Sequence, residues 1–255
     1  MTIVLLLNGC GAETYEQRLK ETTQYFTYVD IRNQALSDKW SSPSINMRIP
    51  VEFKQINAPP AAPVVPSEDS ESAAPEPVPT VDPRQPDYVA LVLPGLEGAW
   101  RADVPVDLEN ETVDRPAYLY VLSNYGLLKK KKMDEALNFF ADVNNQIATT
   151  FNQPIKNEEF KAERFPRTTG YSEPKPFNLG IFEPEMPIDG VQYQFQIYQT
   201  ESGNNQAVIL LVAPKNIAGN SKIKEHLDFS LETVNLVSPQ SGNGQPNPAS
   251  GSTKF

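Results

Sequence analysis

Residues 191–212 read VQYQFQIYQTESGNNQAVILLV, and this stretch decides the fold. Apolar and polar side chains alternate from Val191 to Tyr198, which is typical of a strand with one buried face. A polar turn at residues 201–205 leads into the wholly apolar run Ala207 to Val212, which is typical of a central strand. We therefore predict an antiparallel hairpin in the middle of a sheet.

Other segments supply further strands and the helices that cover them. Two short runs predict buried strands at residues 88–93 and 117–122, and alternation predicts a third at 46–56, placed at a sheet edge because Pro50 lacks an N–H. Apolar spacing of three and four predicts helices at 12–36, 134–151 (with Asp134 as cap) and 221–237. The order indicates an α+β fold, an antiparallel sheet covered by helices.

The first predicted helix has two interpretations. Its apolar stripe extends from Tyr15 through Leu19 and Phe26 to Leu36. The stripe favours either a coiled-coil stalk that recruits a partner or a helix packed on the chain's own sheet. Because Thr22 and Asn33 interrupt the stripe, we favour packing on the sheet.

Two segments are too polar or too rich in proline to build a core. Nine prolines lie between Ala58 and Pro86, among small and acidic residues, and residues 238–255 are mostly Ser, Gly, Asn, Gln and Pro. Both are predicted to be disordered, the first as an acidic linker or loop inserted in one domain. The predicted organisation is a signal-peptide remnant at 1–9, a helix and a strand that joins the main sheet at 10–57, the Pro-rich segment at 58–86, the main α+β domain at 87–237 and the tail at 238–255.

The first residues carry the most specific motif. Leu7-Asn8-Gly9-Cys10 ends a short apolar run, and Cys10 is the chain's single cysteine. The motif resembles the end of a bacterial lipoprotein signal peptide, in which the cysteine receives a diacylglyceryl group. The apolar run is shorter than a signal core and no basic residue precedes it, which suggests that the true start lies upstream. The resemblance implies an acyl anchor at Cys10 in the cell envelope, with the outer membrane favoured since Gly11 follows.

A weaker resemblance concerns the fold. The order of an extended N-terminal strand, a meandering sheet and a last helix over residues 46–237 is similar to that of PsbP-like domains. The resemblance rests on element order, so it implies a fold and carries no site residue.

Composition restricts the chemistry. The 255-residue chain has a formal net charge of −10 and one histidine, His226. A strongly acidic chain is repelled by nucleic-acid phosphates, so no nucleic-acid partner is expected. We predict no catalytic residues, no metal site and no cofactor: His226 has no partner placed by spacing, Ser123 lacks the glycines of a nucleophile elbow, and the acidic run from Asp103 to Asp114 lacks calcium-loop spacing.

The remaining candidates concern binding. Trp100, Tyr118 and Tyr120 are candidate lining residues of an apolar groove between sheet and helix. The basic run Lys129, Lys130, Lys131 and Lys132 is a candidate contact for phosphate or lipid head groups, although a solvated turn is the commoner role for such a run. The sequence thus predicts a non-enzymatic, lipid-anchored envelope protein that binds or scaffolds other envelope proteins. The alternative is a carrier of a small apolar ligand or peptide.

Overall fold

A computed structural model describes residues 12–59, 82–108, 111–168 and 171–237. The helices are α1 (Ala12–Ala35), α2 (Tyr125–Lys129), α3 (Met133–Leu137), α4 (Phe139–Phe151) and α5 (Ile223–Glu232), with a 3-10 turn at Asn157–Glu159. The strands are β1 (Leu36–Ser41), β2 (Ile45–Pro50), β3 (Lys54–Ile56), β4 (Leu96–Asp107), β5 (Thr112–Ser123), β6 (Lys161–Phe165), β7 (Lys175–Phe182), β8 (Tyr193–Ser202), β9 (Asn205–Pro214) and β10 (Asn235–Leu236).

A seven-stranded antiparallel sheet forms the centre of the fold, in the order β3-β4-β5-β9-β8-β7-β6. The predicted hairpin is confirmed as β8 and β9, which pair from Tyr193↔Pro214 to Ser202↔Asn205. Gly203 in its turn has φ +60°, a conformation that glycine adopts without steric cost. Every residue of β9 is buried, as the apolar run predicts for a central strand.

Side chains alternate between the two faces of this sheet, and each face has its own core. The face that carries Tyr120, Phe195 and Leu210 packs on α4, and we call it the α4 face. The opposite face carries Leu119, Leu211 and Phe177 and packs on α5, and we call it the α5 face. The α+β architecture of an antiparallel sheet covered by helices is therefore confirmed.

A second, three-stranded sheet covers part of the α5 face. Its order is β1-β2-β10, and the inward side chains Ile45, Met47 and Ile49 of β2 are at most 2% exposed. The predicted strand at 46–56 is thus two strands, β2 and β3, separated by a turn, and only β3 joins the large sheet. The edge position predicted for this segment is wrong for β2, which lies between β1 and β10; Pro50 itself lies beyond the residues that pair with β10.

Two strand predictions near Trp100 need correction. The segment at residues 88–93 is irregular, although Leu91 and Leu93 are buried against the α4 face. The strand that follows, β4, was missed because its acidic residues resemble a solvated loop. Asp103 points outward from β4 while Val104 is buried beside it. The predicted strand at 117–122 is confirmed and is longer, since β5 begins at Thr112.

The predicted helices also differ in detail. The helix expected at 134–151 is broken at Asn138 into α3 and α4, and Asp134 makes no capping hydrogen bond, since Lys132 occupies the N-cap of α3. The last helix is confirmed, with Ile223, Leu227 and Leu231 buried, but it ends at Glu232 and the residues predicted to continue it include strand β10. The Pro-rich segment is described only at its ends, because residues 60–81 lie outside the described residues, as does the tail at 238–255.

Helix α1 departs most from expectation. Its bounds agree with the predicted helix, but every residue from Glu13 to Thr27 is exposed, including Leu19 and Phe26 of the predicted stripe. Packing on the chain's own sheet is therefore wrong for most of its length. The docked part begins at Tyr28, whose hydroxyl donates a short hydrogen bond to Glu232 of α5.

Arg48 of β2 holds the C-terminal end of α1. Its guanidinium donates to the carbonyl oxygens of Leu36 at 2.9 Å and Ser37 at 2.8 Å, and to Asn33 Oδ1 at 2.7 Å. The backbone of Arg48 is bonded to the end of α5. Its carbonyl oxygen accepts a hydrogen bond from the Ser230 hydroxyl of α5, and its N–H donates to Oγ1 of Thr233, the residue that follows α5, at 2.8 Å. These bonds join the last turn of α1 and the start of β1 to β2 and to the end of α5.

Candidate functional site

An open groove lies between the sheet and a helix, where β6, β7 and β8 meet α5. It encloses about 690 Å³, and we call it the α5 groove. Its floor is formed by Leu179 and Ile181 of β7 with Gln196 and Tyr198 of β8. Its rim is charged and comes from the 3-10 turn, from β6, from Arg167 and from the first half of α5.

The groove exists because the cover of the α5 face ends before the sheet does. Along β7 the side chains on this face pass from Phe177, 3% exposed, through a half-buried Leu179 to Ile181, 54% exposed. Alternation alone would treat the three as equivalent. The difference shows that Phe177 is covered and that Ile181 is largely open to solvent.

A row of polar side chains on β8 continues the groove floor. Tyr198 Oη donates to Gln196 Oε1 at 2.8 Å, and Gln196 Nε2 donates to Gln194 Oε1 at 2.7 Å. Gln194 Nε2 donates to Glu183 Oε1 at 2.9 Å, and Lys215 Nζ donates to the other oxygen at 2.7 Å. The Lys215 hydrogen bond, followed by that from Gln194, holds the pKa of Glu183 below its usual value. The row is thereby fixed in one orientation.

The rim has more acidic than basic groups. Five carboxylates line the groove against three cations. Arg167 lies 3.8 Å from both Glu163 and Asp228, and all three side chains are about a third to a half exposed. Burial raises the pKa of Asp228, while Arg167 opposes that rise. The groove can therefore attract a cation while offering an apolar floor.

Trp100, one of the predicted lining residues, lies in the core of the α5 face. It is 3% exposed, and its ring meets that of Trp40 edge to face at 4.9 Å between centroids. A Cβ on Gly98 would lie 2.4 Å from the Trp100 ring and 2.8 Å from Trp40, so the pair requires glycine there. Trp100 thus lines neither the α5 groove nor a cavity shared with the two predicted tyrosines.

Tyr118 and Tyr120 point to the opposite, α4 face. They stack at 6.1 Å between ring centroids, and Tyr88 lies 4.6 Å from Tyr118. Both are at most 6% exposed. Burial raises the pKa values of Tyr120 and of Tyr88. The three candidate lining residues are therefore buried on opposite faces of the sheet, Trp100 on the α5 face and the two tyrosines on the α4 face.

The four candidate lysines lie in the connection from α2 to α3. Lys129, Lys130, Lys131 and Lys132 are all exposed. Lys132 Nζ donates to Glu135 Oε1 at 2.9 Å, and Lys131 has φ +60°. They form a solvated turn whose binding role stays a prediction.

Ser123 and His226 have structural surroundings. The hydroxyls of Ser42 and Ser123 donate short hydrogen bonds to Glu97, and Ser44 donates at 2.6 Å, so one carboxylate joins the small sheet to β4 and β5. His226 Nδ1 lies 2.6 Å from Glu52 Oε1, and its side chain is 15% exposed. Ser123, 3% exposed, is thus bonded to Glu97, and His226 lies beside Glu52.

Cys10 lies outside the described residues. Among the helices that the structure describes, none is long and apolar enough to cross a membrane. Within the same residues, no group of three or more His, Cys, Asp and Glu side chains is placed to hold a metal ion.

Comparisons with known proteins assign no family. No family model matches the chain, and no curated protein matches it. A crystal structure of a protein from Bacteroides thetaiotaomicron has a TM-score of 0.36 and 11% identity to it. That match covers 82% of this chain and 51% of the other, so this chain spans about half of that protein's length.

Proposed function

We propose that this chain is a non-enzymatic, lipid-anchored component of the cell envelope that binds or scaffolds other envelope proteins. The observation that carries the proposal is the position of α1. The helix begins two residues after Cys10 and stays exposed from Glu13 to Thr27 before it docks at Tyr28. A helix of 24 residues extends about 36 Å at its usual rise of 1.5 Å per residue. It would hold the domain away from an acylated Cys10, with the outer membrane as the favoured site.

The docked end of α1 supports the role of a spacer. Tyr28 is bonded to Glu232, and Arg48 holds the carbonyls of Leu36 and Ser37. A spacer needs one rigid attachment, since a helix hinged at the domain would not set a distance. The proposal includes no nucleic-acid partner, because the chain's net charge is −10.

The test is metabolic palmitate labelling of the full chain in its native cell. The wild type should carry label and fractionate with membranes, whereas Cys10→Ala should lose both. Gln17→Ala, on the exposed part of α1, is the matched control and should behave as the wild type. Absence of label from the wild type would overturn the anchor.

One observation favours a second function, that of a carrier of a small apolar ligand or peptide. The α5 groove, of about 690 Å³, lies within the size range of ligand sites and has Leu179 and Ile181 on its floor. A ligand that binds the native state raises the melting temperature. Thermal-shift titration against lipids and peptides therefore tests this function, and a pull-down with residues 60–81 deleted tests scaffolding. Loss of partners on deletion would favour scaffolding, and retained partners with a bound ligand would favour carriage.

A further inference from the structure

An uncharged cleft lies on the α4 face, where the first half of α4 meets β7 and β8. It encloses about 420 Å³, which is within the size range of ligand sites. Among the described residues that line it, none is charged. We call it the amide cleft, after its polar lining. Its amide and aromatic side chains are those of Asn138, Asn144, Asn178, Gln199, Phe140 and Phe160.

The strand register places two of these amides side by side. Asn178 of β7 is the direct partner of Gln199 of β8, and Ala162 of β6 is the partner of Asn178 on its other side. Direct partners carry their side chains on the same face, with Cβ atoms about 4.5–5.5 Å apart. Because Ala162 has a single methyl group, the pair of amides is open toward the sheet edge.

The inner amides are buried and only partly bonded. Asn144 of α4 is 5% exposed and Gln199 is 7% exposed. Gln199 Nε2 donates to Asn144 Oδ1 at 3.3 Å, which is long for a hydrogen bond, and Gln199 Oε1 accepts none from the described residues. A buried amide with an unmade hydrogen bond destabilises the fold, whereas apolar side chains of the same shape would be nearly neutral. A ligand that bonds to Gln199 would offset this loss.

Two half-buried rings form the apolar part of the cleft. Phe140 of α4 and Phe160, which precedes β6, pack on the rim of the α4-face core. A Cβ on Gly180 would lie 2.4 Å from the Phe160 ring, so the glycine leaves room for that ring at the sheet surface. Apolar groups of a ligand that cover the two rings are removed from water, which favours binding.

This lining restricts the class of ligand. A phosphate, carboxylate or ammonium group in the cleft would lose its hydration without gaining an opposite charge. A side-chain amide both donates and accepts hydrogen bonds, as a hydroxyl group does. A sugar ring carries hydroxyls at its edge and C–H groups on its faces, so it matches the amides and the rings together.

The cleft continues along the sheet. A second cavity of about 500 Å³ shares Phe140, Asn178 and Gln199 with it and extends to Arg164 of β6 and Glu201 of β8. This outer part is lined by charges of both signs, so it selects neither an anion nor a cation. The length of the two cavities favours a ligand of more than one sugar ring.

We propose that the amide cleft binds an uncharged oligosaccharide. One sugar ring lies against Phe140 and Phe160, and its hydroxyls bond to Asn178 and to Gln199. The next ring extends into the outer cavity. This site is separate from the α5 groove and goes beyond the anchoring and scaffolding role proposed above, and it does not depend on Cys10.

The first experiment probes the purified full chain on an array of neutral and acidic oligosaccharides, followed by isothermal titration calorimetry with the neutral oligosaccharide that binds best. Neutral oligosaccharides should bind, and acidic ones of the same length should bind more weakly. Binding should not weaken as salt is raised, because no ion pair forms. Adenosine and a capped dialanine peptide, which are also uncharged, should not bind. Binding of either of them without any oligosaccharide would overturn the proposal.

Three variants locate the site. Gln199→Met keeps the volume of the side chain and removes the amide, and it should weaken binding about ten-fold through loss of a buried hydrogen bond. Asn178→Ala, at an exposed position, should weaken binding about three-fold. The matched control is Asn145→Ala, at an exposed position of α4 that does not line the cleft, and it should bind as the wild type.

Thermal melting of each variant separates loss of binding from loss of fold. Failure of every neutral oligosaccharide to bind the folded wild type would overturn the proposal, and so would unchanged binding in folded Asn178→Ala and Gln199→Met. Neither result would affect the palmitate test of the anchor at Cys10.

Discussion

Ile181 and Phe182 are neighbours on β7, yet one is 54% exposed and the other 4%. Phe182 points to the α4 face, where its ring lies 5.5 Å from Phe151 of α4 and 5.8 Å from Phe195, measured between centroids. Ile181 points to the α5 face, where it lines the floor of the α5 groove. Both faces of the strand end are apolar, but only one is covered. The sealed face stabilises the fold, and the open face is available for binding.

The two covers are also attached differently. The α4 face is closed by aromatic and aliphatic packing around Phe139, Val143 and Ile147. The α5 face has an apolar core too, but its cover is further tied by polar contacts, notably Glu97 with three serines and Tyr28 with Glu232. We therefore expect truncation of apolar side chains to lower the unfolding free energy most on the α4 face. On the α5 face, removal of single polar groups should also lower it.

The largest effect should come from Phe182→Ala. The substitution leaves a cavity among Phe151 and Phe195, and truncation of a buried aromatic side chain usually costs about 3–5 kcal/mol of unfolding free energy. Urea denaturation followed by circular dichroism measures the loss. A cost below about 1 kcal/mol would mean that the α4 face is not sealed at this end.

Glu97→Ala should have the next largest effect. The hydroxyls of Ser44 and Ser123 are buried and would lose their acceptor, which costs about 1–3 kcal/mol for an unsatisfied buried group. Glu97→Gln is the matched control, because its amide oxygen still accepts hydrogen bonds, and it should lose less. Equal losses in the two variants would indicate that the carboxylate's charge, not its acceptor role, joins the small sheet to β4 and β5.

A smaller effect should appear as a pH dependence of the unfolding free energy, which comes from Glu232 of α5. Burial raises the pKa of Glu232 above its usual value of 4.5, while the Tyr28 hydrogen bond and Arg32 oppose that rise. Since the folded state holds this proton more tightly than the unfolded chain, the contribution of Glu232 to stability is complete below about pH 4.5 and is lost as pH rises through the raised pKa.

Urea denaturation at several pH values tests this. Glu232→Gln should flatten the loss of stability above pH 4.5, and the residual slope should come from Asp228, whose pKa burial also raises. The pKa values of Asp82 and Glu183 are lowered in the folded state. Their contributions to stability are therefore complete above their usual pKa values and are lost as the pH falls below those values. An unchanged slope in Glu232→Gln would show that burial at this site does not control the proton.

The smallest effect should come from Ile181→Ala, the neighbour of Phe182. Because this side chain is 54% exposed, its truncation should change the unfolding free energy by less than about 0.5 kcal/mol. A destabilisation comparable to that of Phe182→Ala would contradict the contrast between the two faces.

Regular patterns in the sequence predicted the elements but not their partners. Alternation and an uninterrupted apolar run were sufficient for β8 and β9, because the period of a strand is a local property. The bounds of α1 were predictable for the same reason. Its stripe through Leu19 and Phe26 was expected to pack on the sheet, yet only the end of α1 from Tyr28 onward reaches α5. Periodicity in the sequence predicts a helix, but it does not predict which element packs beside that helix.

Strand β4 was missed although its signal was present. Ala102, Val104 and Val106 alternate with Asp103 and Asp107, which is typical of a strand with one exposed face. The α5 groove is different, because its residues come from four separate parts of the chain. Only the polar side of β8, at Gln194 and Gln196, was visible beforehand. The end of the α5 cover depends on tertiary packing, which no local pattern encodes.

Arg48 gives α1 a mechanical role. A force applied to the N-terminal end of α1 would be transmitted to the rest of the domain at Leu36 and Ser37, whose carbonyl oxygens accept hydrogen bonds from the Arg48 guanidinium. The hydrogen bonds of the Arg48 backbone would transmit that force to Ser230 and Thr233, at the end of α5. The other half of α5 is a wall of the α5 groove. A tether under load would therefore pull on the helix that shapes the groove.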